Sequence, residues 1–164
     1  MEYSLEFSER LIEAANSLVR TADHKDESCR AVLYLSLLSC EISLKALLEH
    51  AGFTVEELKR RSHDLKGLLH DICSCELVGT RIGNSKPFRA SRLLSQEVNE
   101  NTYNGTVGAL LHAENDGAAQ YPNEIRYGDL VTHFPPLIML KCASVVQGWA
   151  RDNIDKIKRN KDIK

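Results

Sequence analysis

Apolar residues recur at helical spacing in several stretches of the chain, with polar residues between them. Residues 4–22 carry one apolar stripe, whereas residues 29–51 are apolar over most of their circumference. A helix that is apolar nearly all round belongs in the middle of a bundle. Shorter stripes at 64–77 and after position 135 predict two more amphipathic helices. The pattern therefore predicts an all-α protein.

Polar residues that can cap helices stand near the ends of these stripes. The second helix can begin at a cap formed by Asp26 or Ser28. Residues 54–57 have the form of a capping box, which predicts a short extra helix. The helix after it can be capped by Ser62 or Asp64. The first two helices are expected to form an antiparallel hairpin.

Residues 78–132 interrupt the helical pattern. Six of the nine Gly and two of the four Pro lie between positions 79 and 128. This composition predicts an irregular, loop-rich insertion before the last long helix, with short helices near 89–98 and 106–112. The whole chain, 1–164, is expected to be one bundle of about four to six helices, with a basic frayed tail at 158–164.

A formal net charge of −2 excludes a grossly basic nucleic-acid binder but leaves room for a local basic patch. The stretch 81–92 contains four basic residues and no acidic one. These candidate RNA-binding residues are Arg81, Lys86, Arg89 and Arg92. They surround Phe88, whose ring could stack on a base while the cations follow the RNA backbone. A solvated surface segment is the alternative interpretation.

The cysteines and the apolar runs bear on the compartment. Five Cys are an odd number and no secretion leader precedes them, which predicts reduced thiols and a cytoplasmic protein. The longest apolar run is interrupted by serines and by Glu41 and Lys45. It is therefore expected to fall short of the roughly 20 apolar residues that cross a bilayer, so no membrane association is predicted.

Glu41 and Lys45 form the unusual feature of the second helix. They lie one turn apart in a segment that is otherwise apolar, with Glu on the N-terminal side. Charges in a core persist when they are paired, so a structural ion pair is favoured, with a further tie to Arg126 or His63. A catalytic role, based on shifted pKa values, is the alternative.

Three separated motifs occur in a fixed order along the chain. They are Glu41-x-x-x-Lys45-x-Leu47-Leu48, then His63-Asp64-Leu65, then Tyr121-Pro122-Asn123-Glu124-Ile125-Arg126-Tyr127. Together they resemble the HEPN domains (higher eukaryotes and prokaryotes nucleotide-binding). The resemblance covers most of the chain. It implies a small all-α bundle that forms a homodimer through its final helices and the 121–133 segment.

The resemblance also implies a chemistry. Many HEPN domains are metal-independent ribonucleases whose signature is an Arg, four to six residues, and a His; Arg126 and His133 have six residues between them. His133 would act as general base or acid and Arg126 would hold the scissile phosphate. The residues expected to support this pair are Glu41, Lys45, His63, Asp64 and Tyr127. No cofactor and no metal are implied.

Several alternatives to this catalytic pair remain. Arg126 could form an ion pair with Glu124 or Asp129, and His133 could be an ordinary helix-start residue. His63 and Asp64 could likewise serve only to begin a helix, with Asp64 accepting backbone N–H bonds. Zinc binding is disfavoured because no recognised ligand spacing is present among the candidate residues His63, His70, Cys73 and Cys75.

The function implied by the resemblance is an endoribonuclease of a prokaryotic defence or toxin–antitoxin kind. Its expected partners are RNA, a second copy of the chain, and a nucleotidyltransferase antitoxin or other cognate regulator. The main alternative is a non-catalytic HEPN module that binds a nucleotide or a protein and serves a nucleotidyltransferase or other effector. A purely structural dimerisation domain is a third possibility.

Overall fold

The architecture comes from a computed structural model that describes residues 1–21, 26–79, 88–115, 121–127 and 135–160. The helices are α1 (Leu5–Thr21), α2 (Asp26–Ala51), α3 (Val55–Arg60), α4 (Leu65–Cys73), α5 (Val107–Asn115), α6 (Asn123–Tyr127) and α7 (Pro136–Asn153). Two 3₁₀ turns cover Ala90–Leu93 and Ile154–Lys156. The protein is mostly helical, as the apolar pattern predicts.

The described residues include five short strands that were not predicted. They are β1 (Cys75–Leu77), β2 (Phe88–Arg89), β3 (Glu97–Glu100), β4 (Tyr103–Thr106) and β5 (Ile157–Arg159). An antiparallel sheet has the order β2-β1-β5, and β3 and β4 form a separate antiparallel pair. Strands of two to four residues leave too little alternation for a period of two to be recognised in the sequence.

The centre of the bundle is α2, which packs against α1 and α7. Several of its apolar residues at helical spacing are fully buried, among them Leu33, Leu37, Leu44 and Leu47. Leucines at this spacing stack along one side of the helix and fill the space between its neighbours. One continuous cluster of buried apolar residues extends from α1 to β5.

The predicted caps are partly confirmed. The capping box is present: the Thr54 side chain accepts from the Glu57 amide, and the Glu57 side chain accepts from the Thr54 amide. Asp64 caps α4 by accepting from the Gly67 amide. Ser62 is not a cap; it has a positive φ of 48° in the turn before Asp64. Ser28 lies inside α2, which begins earlier than predicted, at Asp26.

Two predicted helix ends are wrong. The helix expected to continue to about residue 77 stops at Cys73, because residues 75–77 alternate in burial and pair with two other strands. The basic residues Lys158 and Arg159 belong to β5 and do not form a frayed end. Arg159 is held there by Glu57 and by the ring of Phe53, 4.0 Å away. Residues 161–164 lie outside the described part of the chain.

Within the described parts of the predicted insertion, the two short helices have different outcomes. The helix near 106–112 is present as α5. Near 89–98 the chain instead forms a 3₁₀ turn between β2 and β3. The alternation of buried Val98 with its polar neighbours suits a strand, and β3 pairs with β4 along its length.

The prediction that no segment is apolar enough to cross a bilayer is wrong for α2. Residues 27–51 are long and apolar enough by length and composition, with a mean hydropathy of 1.7. Of that window, 72% is buried inside the bundle. A buried core helix of a bundle meets the same criterion.

Candidate functional site

A buried ion pair lies at the centre of the candidate site. Glu41 and Lys45 of α2 are 3% and 5% exposed, and Lys45 Nζ is 2.7 Å from Glu41 Oε1. Lys45 Nζ also donates to the carbonyl oxygen of Ser62 at 2.6 Å. A buried charge is tolerated when it is paired and its remaining hydrogen-bond positions are filled. The pair therefore ties α2 to the turn that precedes α4, which agrees with the structural interpretation.

The second oxygen of Glu41 is also occupied. Glu41 Oε2 is 2.9 Å from His63 Nδ1 and accepts a 2.7 Å hydrogen bond from the hydroxyl of Tyr121. The rings of His63 and Tyr121 meet edge to face, with centroids 5.7 Å apart. The His63 side chain is 41% exposed. A buried carboxylate is thus connected to the surface through an imidazole.

The turn between α3 and α4 positions His63. Ser62 has a left-handed backbone, and its carbonyl is fixed by Lys45. Asp64 then caps α4 and leaves no room for a side chain at position 67, where a Cβ would lie 2.2 Å from Asp64 Oδ2. His63 is therefore held between a fixed carbonyl and a helix cap, and its ring is directed to Glu41.

Tyr121 remains a proton donor in this arrangement. Burial raises the pKa of its phenol, and the neighbouring Glu41 carboxylate raises that pKa further. A neutral phenol can keep donating to Glu41 throughout the neutral range. Tyr121 is the first residue of the motif that carries Arg126. Its hydrogen bond to Glu41 therefore fixes that motif to α2.

Replacing Tyr121 with Phe is expected to destabilise the protein by about 1–3 kcal/mol, because a buried acceptor loses a charge-assisted hydrogen bond. The free energy of unfolding, measured by urea denaturation, checks this. Tyr127→Phe is the matched control, since Tyr127 lies six residues beyond the motif's first tyrosine and is 82% exposed. Equal stabilities of the two variants would show that the Tyr121 hydroxyl contributes nothing to the fold.

Arg126 lies on α6 and is exposed. Its guanidinium covers the ring of Tyr34 at 4.9 Å from the centroid and donates to the Tyr34 hydroxyl. The backbone beside it is anchored, because Ile125 is fully buried and its carbonyl accepts from Arg30 Nη1 at 3.1 Å. The hydrogen bond to Tyr34 raises the pKa of Arg126, so its charge is permanent.

Tyr34 joins the two halves of the site. Its ring lies 5.9 Å from that of Tyr121, which in turn contacts His63. We call the series Arg126, Tyr34, Tyr121 and His63 the contact row. Both of its ends, Arg126 and His63, are exposed, and its middle is half-buried. Glu41 contacts both His63 and Tyr121 of this row, so the three sequence motifs meet at the Glu41 carboxylate.

Tyr34 was not among the predicted site residues. Its signal was available, because Tyr34 is seven residues before Glu41 and eleven before Lys45 on a helix. Those separations place all three on one face. Tyr127, a predicted supporting residue, is 82% exposed. His133 lies outside the described residues, as do Asp129 and the side chain of Glu124.

The predicted basic RNA-binding segment is described in part. Arg89 and Arg92 are exposed, and the Arg92 guanidinium lies 3.7 Å from the centroid of the Phe88 ring. That cation covers a face of the ring that was expected to stack on a base. Arg81 and Lys86 lie outside the described residues. RNA binding by this segment stays a prediction.

None of the five cysteines, all of which lie in the described residues, forms a disulfide. Burial raises the pKa of the Cys75 thiol to about 11, which leaves it unreactive as a nucleophile at neutral pH. Within the described ranges, no group of three or more His, Cys, Asp or Glu side chains could hold a metal ion. Of the candidate zinc ligands, His63 has its Nδ1 against Glu41, and Cys75 is the first residue of β1.

Comparison of this chain with family models, with curated proteins and with solved structures gives no match.

Proposed function

We propose that this protein is a metal-independent endoribonuclease of the HEPN type, active as a homodimer, with Arg126 and His133 in its site. One observation carries the proposal. Arg126 is an exposed guanidinium held on Tyr34 beside a buried, fully paired carboxylate network. Arginine in a fixed position is suited to bind a phosphodiester and to stabilise the negative charge that develops during its cleavage.

The hydrogen-bond network of Glu41, Lys45, His63 and Tyr121 supports this role by fixing the position of Arg126. The polar groups of Glu41 and Lys45 already have partners within the protein. Both oxygens of Glu41 are occupied, and Lys45 has two oxygen partners. Neither residue is free to take a proton from RNA. The proposed chemistry therefore assigns the 2′-hydroxyl proton to His133, which follows α6 along the chain, and leaves the network as support.

The reaction would proceed by attack of the ribose 2′-oxygen on the phosphorus, with Arg126 compensating the charge of the phosphoryl oxygens. The products would be a 2′,3′-cyclic phosphate and a free 5′-hydroxyl. In the proposed biological setting, a prokaryotic toxin–antitoxin or defence system, a cognate regulator such as a nucleotidyltransferase antitoxin would keep the enzyme silent in its host.

The test is RNA cleavage by wild type, Arg126→Ala and His133→Ala in the presence of EDTA, with the new ends mapped. We expect wild type to leave cyclic phosphate and each variant to be about 10²–10³-fold slower, the usual cost of removing one transition-state donor. Arg10→Ala is the matched control, because Arg10 is an exposed arginine of α1 whose ion-pair partner, Glu13, is on the same helix. Circular dichroism and sedimentation verify the fold and the dimer of each variant.

A second function is favoured if wild type cuts nothing. The saturation of Glu41 and the exposure of Arg126 also suit a non-catalytic module that binds a nucleotide or a protein partner for a nucleotidyltransferase or another effector. Inert wild type that still binds RNA or nucleotide, with binding lost in Arg126→Ala, would identify that module. Cleavage that is equal in wild type and both site variants would exclude Arg126 and His133 as the site.

A further inference from the structure

His63 has the geometry of a group that transfers a proton. Its Nδ1 is 2.9 Å from a carboxylate oxygen of Glu41, which is buried, while its own side chain is 41% exposed. A carboxylate at one ring nitrogen holds the proton there and leaves the other nitrogen, Nε2, to exchange a proton with a ligand. The same division of roles operates wherever a carboxylate orients a catalytic imidazole.

The imidazole is fixed by more than one contact. The edge-to-face contact with Tyr121 fixes the plane of the His63 ring, with an interplanar angle of 85°. Glu41 itself cannot turn away, because Lys45 holds Oε1 and Tyr121 holds Oε2. An ordinary helix-start histidine would need none of these constraints. A preorganised ring costs little reorganisation at the moment of reaction.

The position of His63 relative to Arg126 suggests which proton it handles. The two residues are the exposed ends of the contact row, so both are available to an RNA strand lying along it. Cleavage needs one group to accept the 2′-hydroxyl proton and another to protonate the departing 5′-oxygen. The proposed function assigns a proton acceptor, His133, but no proton donor.

Resting on the proposed function, we infer that His63 is a second catalytic residue of the ribonuclease, the general acid that protonates the leaving 5′-oxygen. The 2′-oxygen forms its bond to phosphorus and gives its proton to His133. The bond from phosphorus to the 5′-oxygen breaks, and that oxygen takes the proton from Nε2 of the doubly protonated His63 ring, which is left neutral with its remaining proton on Nδ1. The products are the cyclic phosphate and the 5′-hydroxyl, with no oxidant or reductant required.

The experiment compares two substrates that differ in their need for an acid. RNA releases a poor leaving group, whereas uridine 3′-(4-nitrophenyl phosphate) releases nitrophenolate, which departs without a proton. Both are given to wild type, His63→Gln and His63→Ala, with His70→Ala as the matched control on exposed α4 surface. The glutamine amide can still donate to Glu41, so His63→Gln keeps the network while it loses proton transfer.

We expect His63→Gln to cut RNA about 100-fold more slowly and to cleave the nitrophenyl ester at the wild-type rate, with His70→Ala unchanged on both. Equal losses on both substrates would overturn the inference and assign His63 a positioning role. Wild-type RNA cleavage by His63→Gln would also overturn it while leaving the proposed function intact. A wild type that is inert on both substrates would instead refute the proposed function.

A measurement without turnover provides an independent check. The ¹⁵N chemical shifts of the His63 ring, assigned by their loss in His63→Gln, report which nitrogen carries the proton. We expect the neutral ring to be protonated at Nδ1. A neutral ring protonated at Nε2 would overturn the inference even if cleavage were observed.

Discussion

Glu41→Ala is expected to lower the free energy of unfolding by about 3–5 kcal/mol, the cost of removing one member of a buried ion pair. Lys45 is 5% exposed and would keep a single oxygen partner, the carbonyl of Ser62. His63 and Tyr121 would lose their acceptor at the same time. Urea denaturation of wild type and variant measures the difference directly.

An exposed pair provides the control for this prediction. Arg10 and Glu13 lie three residues apart on α1 with their side chains 75% and 55% exposed. Glu13→Ala should therefore cost about 1 kcal/mol or less. If Glu41→Ala cost no more than Glu13→Ala, Lys45 would have to reach water in the variant, and the network would not hold α2 to the turn. Glu41→Leu combined with Lys45→Met should restore much of the stability, since an apolar pair leaves no buried charge.

Leu44→Ala is expected to cost about 2–5 kcal/mol of the free energy of unfolding. Leu44 is fully buried on α2, where α1 and α7 pack on the same helix. Truncation removes transfer energy and leaves a cavity that rigid helices cannot close completely. Chemical denaturation by urea, with the slope checked for two-state behaviour, gives the value.

Leu137→Ala is the matched control for this core substitution. Leu137 is also a leucine in a long helix, α7, but it is 40% exposed. Its truncation should change stability by about 0.5 kcal/mol or less. A similar cost at positions 44 and 137 would mean that α2 is not the centre of the packed core.

The helices that form the bundle were predictable because their apolar patterns extend over many residues. The stripe of α2 continues through more than six turns, and α1 and α7 repeat their apolar positions over four or more. The capping box at Thr54 and the cap at Asp64 added local signals whose mechanism is fully contained in a few residues. Each of these features depends on neighbours in sequence.

The sheets were not predictable for the opposite reason. β1 is three residues long, and its partners are strands that come later in the chain. Nothing within Cys75–Leu77 distinguishes a strand from the end of a helix, because Cys and Leu suit both. The pairing is decided by tertiary contacts, among them the ion pair between Arg159 and Glu57.

The candidate site was likewise predictable only where its contacts join residues that are close in sequence. The separation of four residues between Glu41 and Lys45 predicted their pairing, and the structure confirms it. That His63 and Tyr121 share one oxygen of Glu41 could not be read from spacing, since their separations from it are 22 and 80 residues. The resemblance placed these residues in one site without specifying their contacts. Catalysis by Arg126 and His133 stays a prediction.

The pairing of β1 with β5 also determines when the protein can finish folding during its synthesis. Leu77 pairs with Ile157, and Cys75 with Arg159, so β1 has no partner on this side until residues beyond α7 are made. A nascent chain whose residues 157–159 are still in the ribosomal tunnel can assemble α1 and α2, whose contacts are nearer in sequence, but it cannot form the β1–β5 ladder. Completion of the sheet, together with the contacts of Arg159 to Glu57 and Phe53, must await the emergence of β5. The complete fold therefore forms only after β5 has been synthesised.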